Sequence, residues 1–218
     1  MRIVIAGGHG QIALRLERLL AARGDEAAGI IRNPGQSEDL RAAGAEPVVL
    51  DLESATVEET AEVLRGADAA VFAAGAGPNS GTARKDTVDR GAAVLFADAA
   101  ERAGVRRYLV VSSMGADPDH PGDEVFDVYL RAKGAADADV RARSGLDWTI
   151  LKPGMLTNDA GTGQVLLAAS TGRGPVPRDD VAAALLELLD TPATAGLTLE
   201  LISGNVPLTV AVKDIAGN

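Results

Sequence analysis

The chain has 218 residues and a formal net charge of -10, a balance that argues against a nucleic-acid or anionic-membrane surface. Hydrophobic residues make up 46% but aromatics only 3%, so a full core is expected, built from small aliphatic side chains. Cysteine is absent and the two histidines, His9 and His120, stand far apart, which excludes disulfides, thiolate catalysis and cysteine–zinc sites and leaves no metal-ligand cluster.

The chain opens on a short apolar run, residues 3–6, ended by glycines. Ile12, Leu16, Leu19 and Leu20 then recur at helical spacing until Gly24. Residues 27–31 read as a second strand and residues 48–50 as a third, followed by Asp51-Leu52. Val57, Ala61 and Leu64 mark a helix that stops near Gly66, and residues 69–73 a fourth strand. Val88, Ala92, Leu95, Phe96 and Ala99 mark a long helix closed by Gly104, and residues 108–111 a fifth strand. A helix is expected over 128–144 and a sixth strand over 148–151, ended by Pro153-Gly154. Residues 155–177, rich in Gly and Thr, read as loop with a little helix that walls a substrate pocket. Val181, Leu185, Leu188 and Leu189 predict a late helix, residues 197–202 a last strand, and residues 213–218 a loose tail.

The strands are continuous apolar runs, as expected where helices cover both faces of a sheet. Strand and helix alternate, so the fold class is α/β: a three-layer, doubly wound parallel sheet in one domain, 1–218, with 155–218 contributing substrate-pocket segments and the last helix and strand. No apolar run reaches the roughly 20 residues that span a bilayer. Residues 1–5 already form a strand rather than a leader, and a cytoplasmic location is expected.

The run Ala6-Gly7-Gly8-His9-Gly10-Gln11-Ile12-Ala13 joins the first strand to the first helix. Its spacing suits a dinucleotide. Gly7 permits a tight turn, Gly10 lets backbone approach a diphosphate, and Ala13 still allows close helix packing. The helix N-terminus, near Gln11 and Ile12, offers N–H groups and a partial positive charge, with Gly8 and His9 beside it. An ordinary strand-to-helix turn is the plain alternative. A dinucleotide site for NAD normally carries an acidic residue at the end of the second strand. Here Arg32-Asn33 stands there. A guanidinium pairs with a 2′-phosphate that a carboxylate would repel, so NADP(H) is expected. Ligands of open parallel sheets lie beyond the carboxyl ends of the strands. Asp51, Leu52, Ala73, Ala74 and Gly75 are expected around the adenine and ribose. Ser112, Ser113, Pro153, Gly154, Met155 and Leu156 are expected at the nicotinamide end.

Tyr129 and Lys133 form a Tyr-x-x-x-Lys pair that shares one helix face. An ammonium beside the phenol would favour tyrosinate and poise it for proton transfer, and Lys133 can also hold the nicotinamide ribose. Ser113 would orient a carbonyl. The alternative for Tyr129 is a ring packed at the pocket rim beside a solvated Lys. Asp89 reads either as a holder of a water or of the active-site Lys, or as a carboxylate at a helix N-terminus. His9 reads as a loop residue over the diphosphate, His120 as a surface loop residue between Pro118 and Pro121, and Trp148 as core.

These stretches, with Val88-Asp89-Arg90-Gly91-Ala92, Gly104-Val105-Arg106-Arg107-Tyr108, Val111-Ser112-Ser113-Met114-Gly115 and residues 144–157, give the chain a family likeness. It resembles the atypical short-chain dehydrogenase/reductases, in the small bacterial NAD(P)-binding group related to the NmrA-like and biliverdin reductase B-like proteins. The resemblance implies a Rossmann fold, NADP binding, and Ser113, Tyr129 and Lys133 as the Ser, Tyr and Lys of the active-site set. Asp89 stands where better-known members carry Asn, Ala13 replaces the usual last glycine, and Lys152 replaces a commoner Arg before Pro-Gly. The function expected is NADP(H)-dependent reduction of a small carbonyl, quinone or flavin-like compound. The alternatives are a non-catalytic NADP(H)-binding sensor that regulates a protein, and a nucleotide-sugar epimerase or dehydratase, which the short C-terminal part disfavours. The expected partner is a small-molecule substrate, with neither nucleic acid nor membrane. The sequence leaves the oligomeric state open, a monomer being the default.

Overall fold

The computed structural model describes residues 1–77 and 80–217. In chain order the elements are β1 (Arg2–Ala6), α1 (Gln11–Arg23), β2 (Glu26–Ile31), α2 (Ser37–Ala42), β3 (Ala45–Val49), α3 (Val57–Leu64), β4 (Ala69–Phe72) and α4 (Thr82–Arg84). A π-helical stretch, Lys85–Ala92, runs on from α4 into α5 (Ala93–Ala103). Then come β5 (Arg107–Val111), α6 (Val125–Arg141), β6 (Asp147–Pro153), β7 (Met155–Thr157), β8 (Gln164–Ala168), β9 (Pro175–Pro177), α7 (Arg178–Leu189), β10 (Leu197–Ser203), β11 (Val206–Pro207) and α8 (Leu208–Ala216).

The nine-stranded sheet has the order β11-β8-β10-β6-β5-β4-β1-β2-β3. Every pairing from β3 across to β10 is parallel, while β8 runs antiparallel to β10 and to β11. The expected doubly wound sheet is thus borne out, with an antiparallel edge that the apolar runs did not announce. Strand order reverses between β1 and β4, and the chain leaves these two strands on opposite sides. Their carboxyl ends open the crevice where such folds bind ligands.

Alternate residues of each strand feed opposite layers. Ile3, Ile5, Leu109 and Leu151 pack with Leu16, Leu20, Leu185, Leu188 and Val212 on one face. Val4, Phe72, Tyr108 and Ile150 pack with Leu64, Phe96 and Val140 on the other. Both faces being covered, the strands read as unbroken apolar runs. Phe96 lies between Phe72 and Tyr108, with ring centroids 6.1 and 5.9 Å away. Helix ends follow local chemistry. Gly24 and Gly104, at φ 85° and 76°, close α1 and α5 in the left-handed conformation. Thr56 and Glu59 form a reciprocal capping box at the start of α3.

Three expectations are corrected. Residues 155–177 hold no helix. They contain β7 and β9, which pair as a separate two-stranded parallel sheet, and β8. The segment from 213 onward is no loose tail through residue 216, because α8 buries Leu208, Ala211 and Val212 against the core; Asn218 lies outside the described residues. The helix expected over 128–144 runs from Val125 to Arg141. Among the described residues no helix is long and apolar enough to cross a membrane.

Candidate functional site

The glycine loop is fixed by its own backbone. The amides of Gly7 and Gly8 both donate to the Ile30 carbonyl, at 3.2 and 3.0 Å, and the Gly10 amide donates to the Gly7 carbonyl at 2.8 Å. Gly7 has φ 80°, a conformation that strains any residue with a Cβ. A Cβ on Gly7 would also stand 2.6 Å from Ala74 Cα, and one on Gly8 2.7 Å from Gly29 Cα. Crowding at Gly8 therefore comes from β2 beneath the loop, whereas Gly7 and Gly10 both line the cleft. Helix α1 starts at Gln11 with Gly10 as its N-cap, with no side-chain cap and no acidic residue in its first turn. Its leading amides and partial positive charge are thus left to an incoming anion. A dinucleotide diphosphate fits this cradle of bare backbone.

A cleft of about 330 Å³ opens beside the loop. Of the residues expected to bind cofactor, Gly7, His9, Gly10, Arg32, Asp51, Leu52, Ala73, Ala74 and Gly75 line it together. So do Gln36, Glu53, Ala76, Arg84, Val88 and Ala92, which the sequence did not place at the cofactor. Gly8, Gln11, Ile12, Asn33, Ser112, Lys133, Pro153, Gly154, Met155 and Leu156 are not among its lining residues. Asn33 has another task, its side chain accepting from the Gly35 amide at 3.0 Å to cap a short 3-10 turn. His9 meets Asp39 at 2.8 Å. Glu53 draws Arg84, Thr87 and Arg32 together at the rim, and foremost the Arg84 hydrogen bond holds its carboxyl below the ordinary range.

Farther along the strand ends lies a buried set of charges. Lys133 is almost wholly buried, 3.6 Å from Asp89, and donates to the carbonyls of Ala74 and Val111 at 3.2 Å each. The ammonium expected to serve Tyr129 thus ties the ends of β4 and β5 together beside a counter-charge. Over the Tyr129 ring stands Lys85 instead, with Nζ 5.3 Å from the centroid, while Phe126 stacks on the ring at 5.7 Å. Asp89 lies within the π-helical stretch and not at a helix N-terminus; its Oδ2 accepts from the Ala76 amide at 3.3 Å. Ser112 donates to Asp137 at 2.8 Å, and Lys152 Nζ lies 3.2 Å from the same carboxylate. Burial pushes the Asp137 carboxyl up, against the opposing pull of Lys152 and Ser112. The Ser113 hydroxyl reaches the Met114 carbonyl at 3.3 Å. His120 is half-buried against Asp127 at 3.1 Å, and Trp148 packs partly buried against the core.

Residues 7–192 match the NAD(P)H-binding family, a span that begins on the glycine loop just described. The chain belongs to the NAD(P)H-binding family. The uncharacterized sugar epimerase YhfK of Bacillus subtilis is 36% identical over 216 residues, covering 99% of this chain and all of the relative. The solved structure of a putative NAD-dependent epimerase/dehydratase from Bacillus halodurans superposes with a TM-score of 0.90 at 35% identity, covering 98% of this chain and 99% of that one. ChuY, an anaerobilin reductase from Escherichia coli O157:H7, superposes with a TM-score of 0.78 at 26% identity, covering 93% and 97%. The NAD(P)-binding family likeness seen in the sequence is thus borne out, with a reductase among the structural neighbours.

Several residues of this family member escaped sequence reading, yet some left a signal. Asp137 lies four residues beyond Lys133, on the stripe of α6 that buries Leu130, Ala136 and Val140. Two charged residues on an apolar stripe point to a buried pair, because an unpaired charge there is costly. Glu53, Arg84 and Thr87 left no such mark, since they come from separate segments that only the fold brings together.

Proposed function

We propose that the protein is an NADP(H)-dependent oxidoreductase that reduces a small carbonyl, quinone or flavin-like compound. The observation that carries this is that Gly10, the N-cap of the otherwise capless α1, and Arg32 line the same cleft. The loop amides would hold the diphosphate, Asp51 and Leu52 the adenosine, and Arg32 the 2′-phosphate. When bound, the reduced nicotinamide supplies a hydride to the substrate. Tyr129 would give its phenolic proton to the substrate oxygen, with Ser113 donating to that oxygen to orient it. Lys133 and Asp89 would keep the ends of β4 and β5 in register beneath the ring. The short strands β7 and β9, with Met155 exposed between the sheet and solvent, would wall the substrate side. Names of relatives lean both ways, anaerobilin reductase for one and sugar epimerase for another.

A second reading, an NADP(H)-binding sensor without turnover, is favoured by one feature. The Lys133 ammonium is committed to Asp89 and two carbonyls and not to Tyr129. Oxidation of NADPH against a panel of carbonyls, quinones and flavins separates the two. Turnover that vanishes in Tyr129→Phe while NADPH affinity holds supports the reductase. Tight binding with no turnover across the panel supports the sensor.

A further inference from the structure

We propose that Arg84 is a second guanidinium for the cofactor's 2′-phosphate, and that Glu53 is a brace that sets Arg32 and Arg84 side by side. This rests on the NADP(H) reading above. Arg32 ends the β2 side of the cleft, Glu53 sits in the turn after β3, and Arg84 ends α4, so three separate segments meet at one rim. The contacts are specific. Glu53 Oε2 accepts from Arg84 Nη2 at 2.5 Å and from Arg32 Nη1 at 3.1 Å. Oε1 accepts from Thr87 Oγ1 at 2.7 Å and from Arg84 Nε at 3.3 Å.

Two consequences follow from donor and acceptor capacity. A carboxylate offers about four acceptor positions, and Glu53 has four donors on it. It therefore has no vacancy for a ribose 2′-hydroxyl, although an acidic residue on this rim would otherwise suggest an NAD site. The guanidiniums keep capacity in reserve. Among the described residues, Arg32 Nε and Nη2 and Arg84 Nη1 make no hydrogen bond within the protein. Arg32 is 54% exposed and Arg84 34%, against 22% for Glu53. The two guanidiniums share the Glu53 carboxylate, with Asp51 lining the same cleft, and both keep free N–H groups facing it. That is the chemistry a phosphomonoester dianion needs and an unphosphorylated ribose does not.

The test uses fragments that fill only the adenosine half of the cleft, so it needs no turnover. Adenosine 2′,5′-bisphosphate and adenosine 5′-monophosphate are titrated calorimetrically into the full chain and its variants, with circular dichroism as the folding control. The wild type is expected to prefer the bisphosphate. Arg84→Ala is expected to reduce that preference about tenfold, as the loss of one charge-assisted hydrogen bond does. Arg84→Lys, which keeps charge but not the fork, should fall between. In Glu53→Gln the monophosphate affinity should stay within about twofold, since Glu53 does not hold the ribose. A preference unchanged in both Arg84 variants, but lost in Arg32→Ala, overturns the role of Arg84 and leaves the NADP(H) reading standing. Monophosphate binding lost in Glu53→Gln overturns the brace. Equal affinity of the wild type for both fragments removes the NADP(H) reading itself.

Discussion

Glu17 is a carboxyl in the wrong place for a charge. It lies on the stripe of α1 that buries Ala13, Leu16 and Leu20, it is fully buried, and neither of its oxygens has a hydrogen-bond partner. Above it sit the glycine loop and β2, where a Cβ on Gly29 would stand 2.6 Å from its Oε1 and one on Gly8 3.1 Å. Burial pushes its carboxyl from 4.5 up to about 8, with Arg18 pulling weakly the other way. Between these two pH values the folded chain keeps a proton that the unfolded chain has released, so stability falls as pH rises. Each pH step is worth about 1.4 kcal/mol, so the whole window amounts to about 5 kcal/mol as an upper figure. Below about pH 4.5 the stabilisation is complete, and above about 8 the loss levels off. Glu17→Gln removes the titration and keeps the shape. Urea unfolding at pH 5, 6.5 and 8 should find the variant gaining steadily on the wild type as pH rises. Curves for the two proteins that stay parallel across that range would refute the buried, protonated carboxyl.

Other substitutions probe other parts of the structure. Phe96→Ala should cost about 3–5 kcal/mol in urea unfolding, because a fully buried ring between Phe72 and Tyr108 leaves a cavity. Lys152→Met should cost about 3 kcal/mol at neutral pH, because it strands the Asp137 carboxylate, and Asp137→Asn in the same chain should recover part of it. Gly7→Ala should lose at least about 1–2 kcal/mol of stability to its φ of 80° alone, and NADPH binding should weaken with it as the loop shifts off Ala74.

Strong local patterns carried most of the fold. The run from residue 3 to Leu20 combines an apolar strand, glycines and a helical period, and each agrees with the final geometry. Residues 155–177 misled because β7 and β9 are three residues long and bounded by prolines and glycines. At that length a strand is defined by its partner and not by its own periodicity. α8 escapes the sequence although Leu208, Ala211, Val212 and Ile215 fall on one face, since nine residues give the period little more than two turns. The six-residue α2 is too short to establish a period. The π-helical stretch at 85–92 is likewise invisible, because the apolar period does not distinguish i→i+5 from i→i+4 hydrogen bonding. At the site, the loop and Arg32 could be read from spacing. The true neighbours of Lys133 and Tyr129 could not, because i,i+4 spacing gives a shared face but not which charge the fold brings opposite it.

The central claim is that a nicotinamide dinucleotide lies with its diphosphate on the backbone of residues 7–12. Calorimetric titration of NADPH and NADH into the purified chain, repeated with Gly10→Val, tests it most directly. One bound dinucleotide per chain is expected, tighter for NADPH, with both lost in the variant whose added side chain fills the cradle. Heat absent for both cofactors in the wild type, or binding untouched by Gly10→Val, would contradict it.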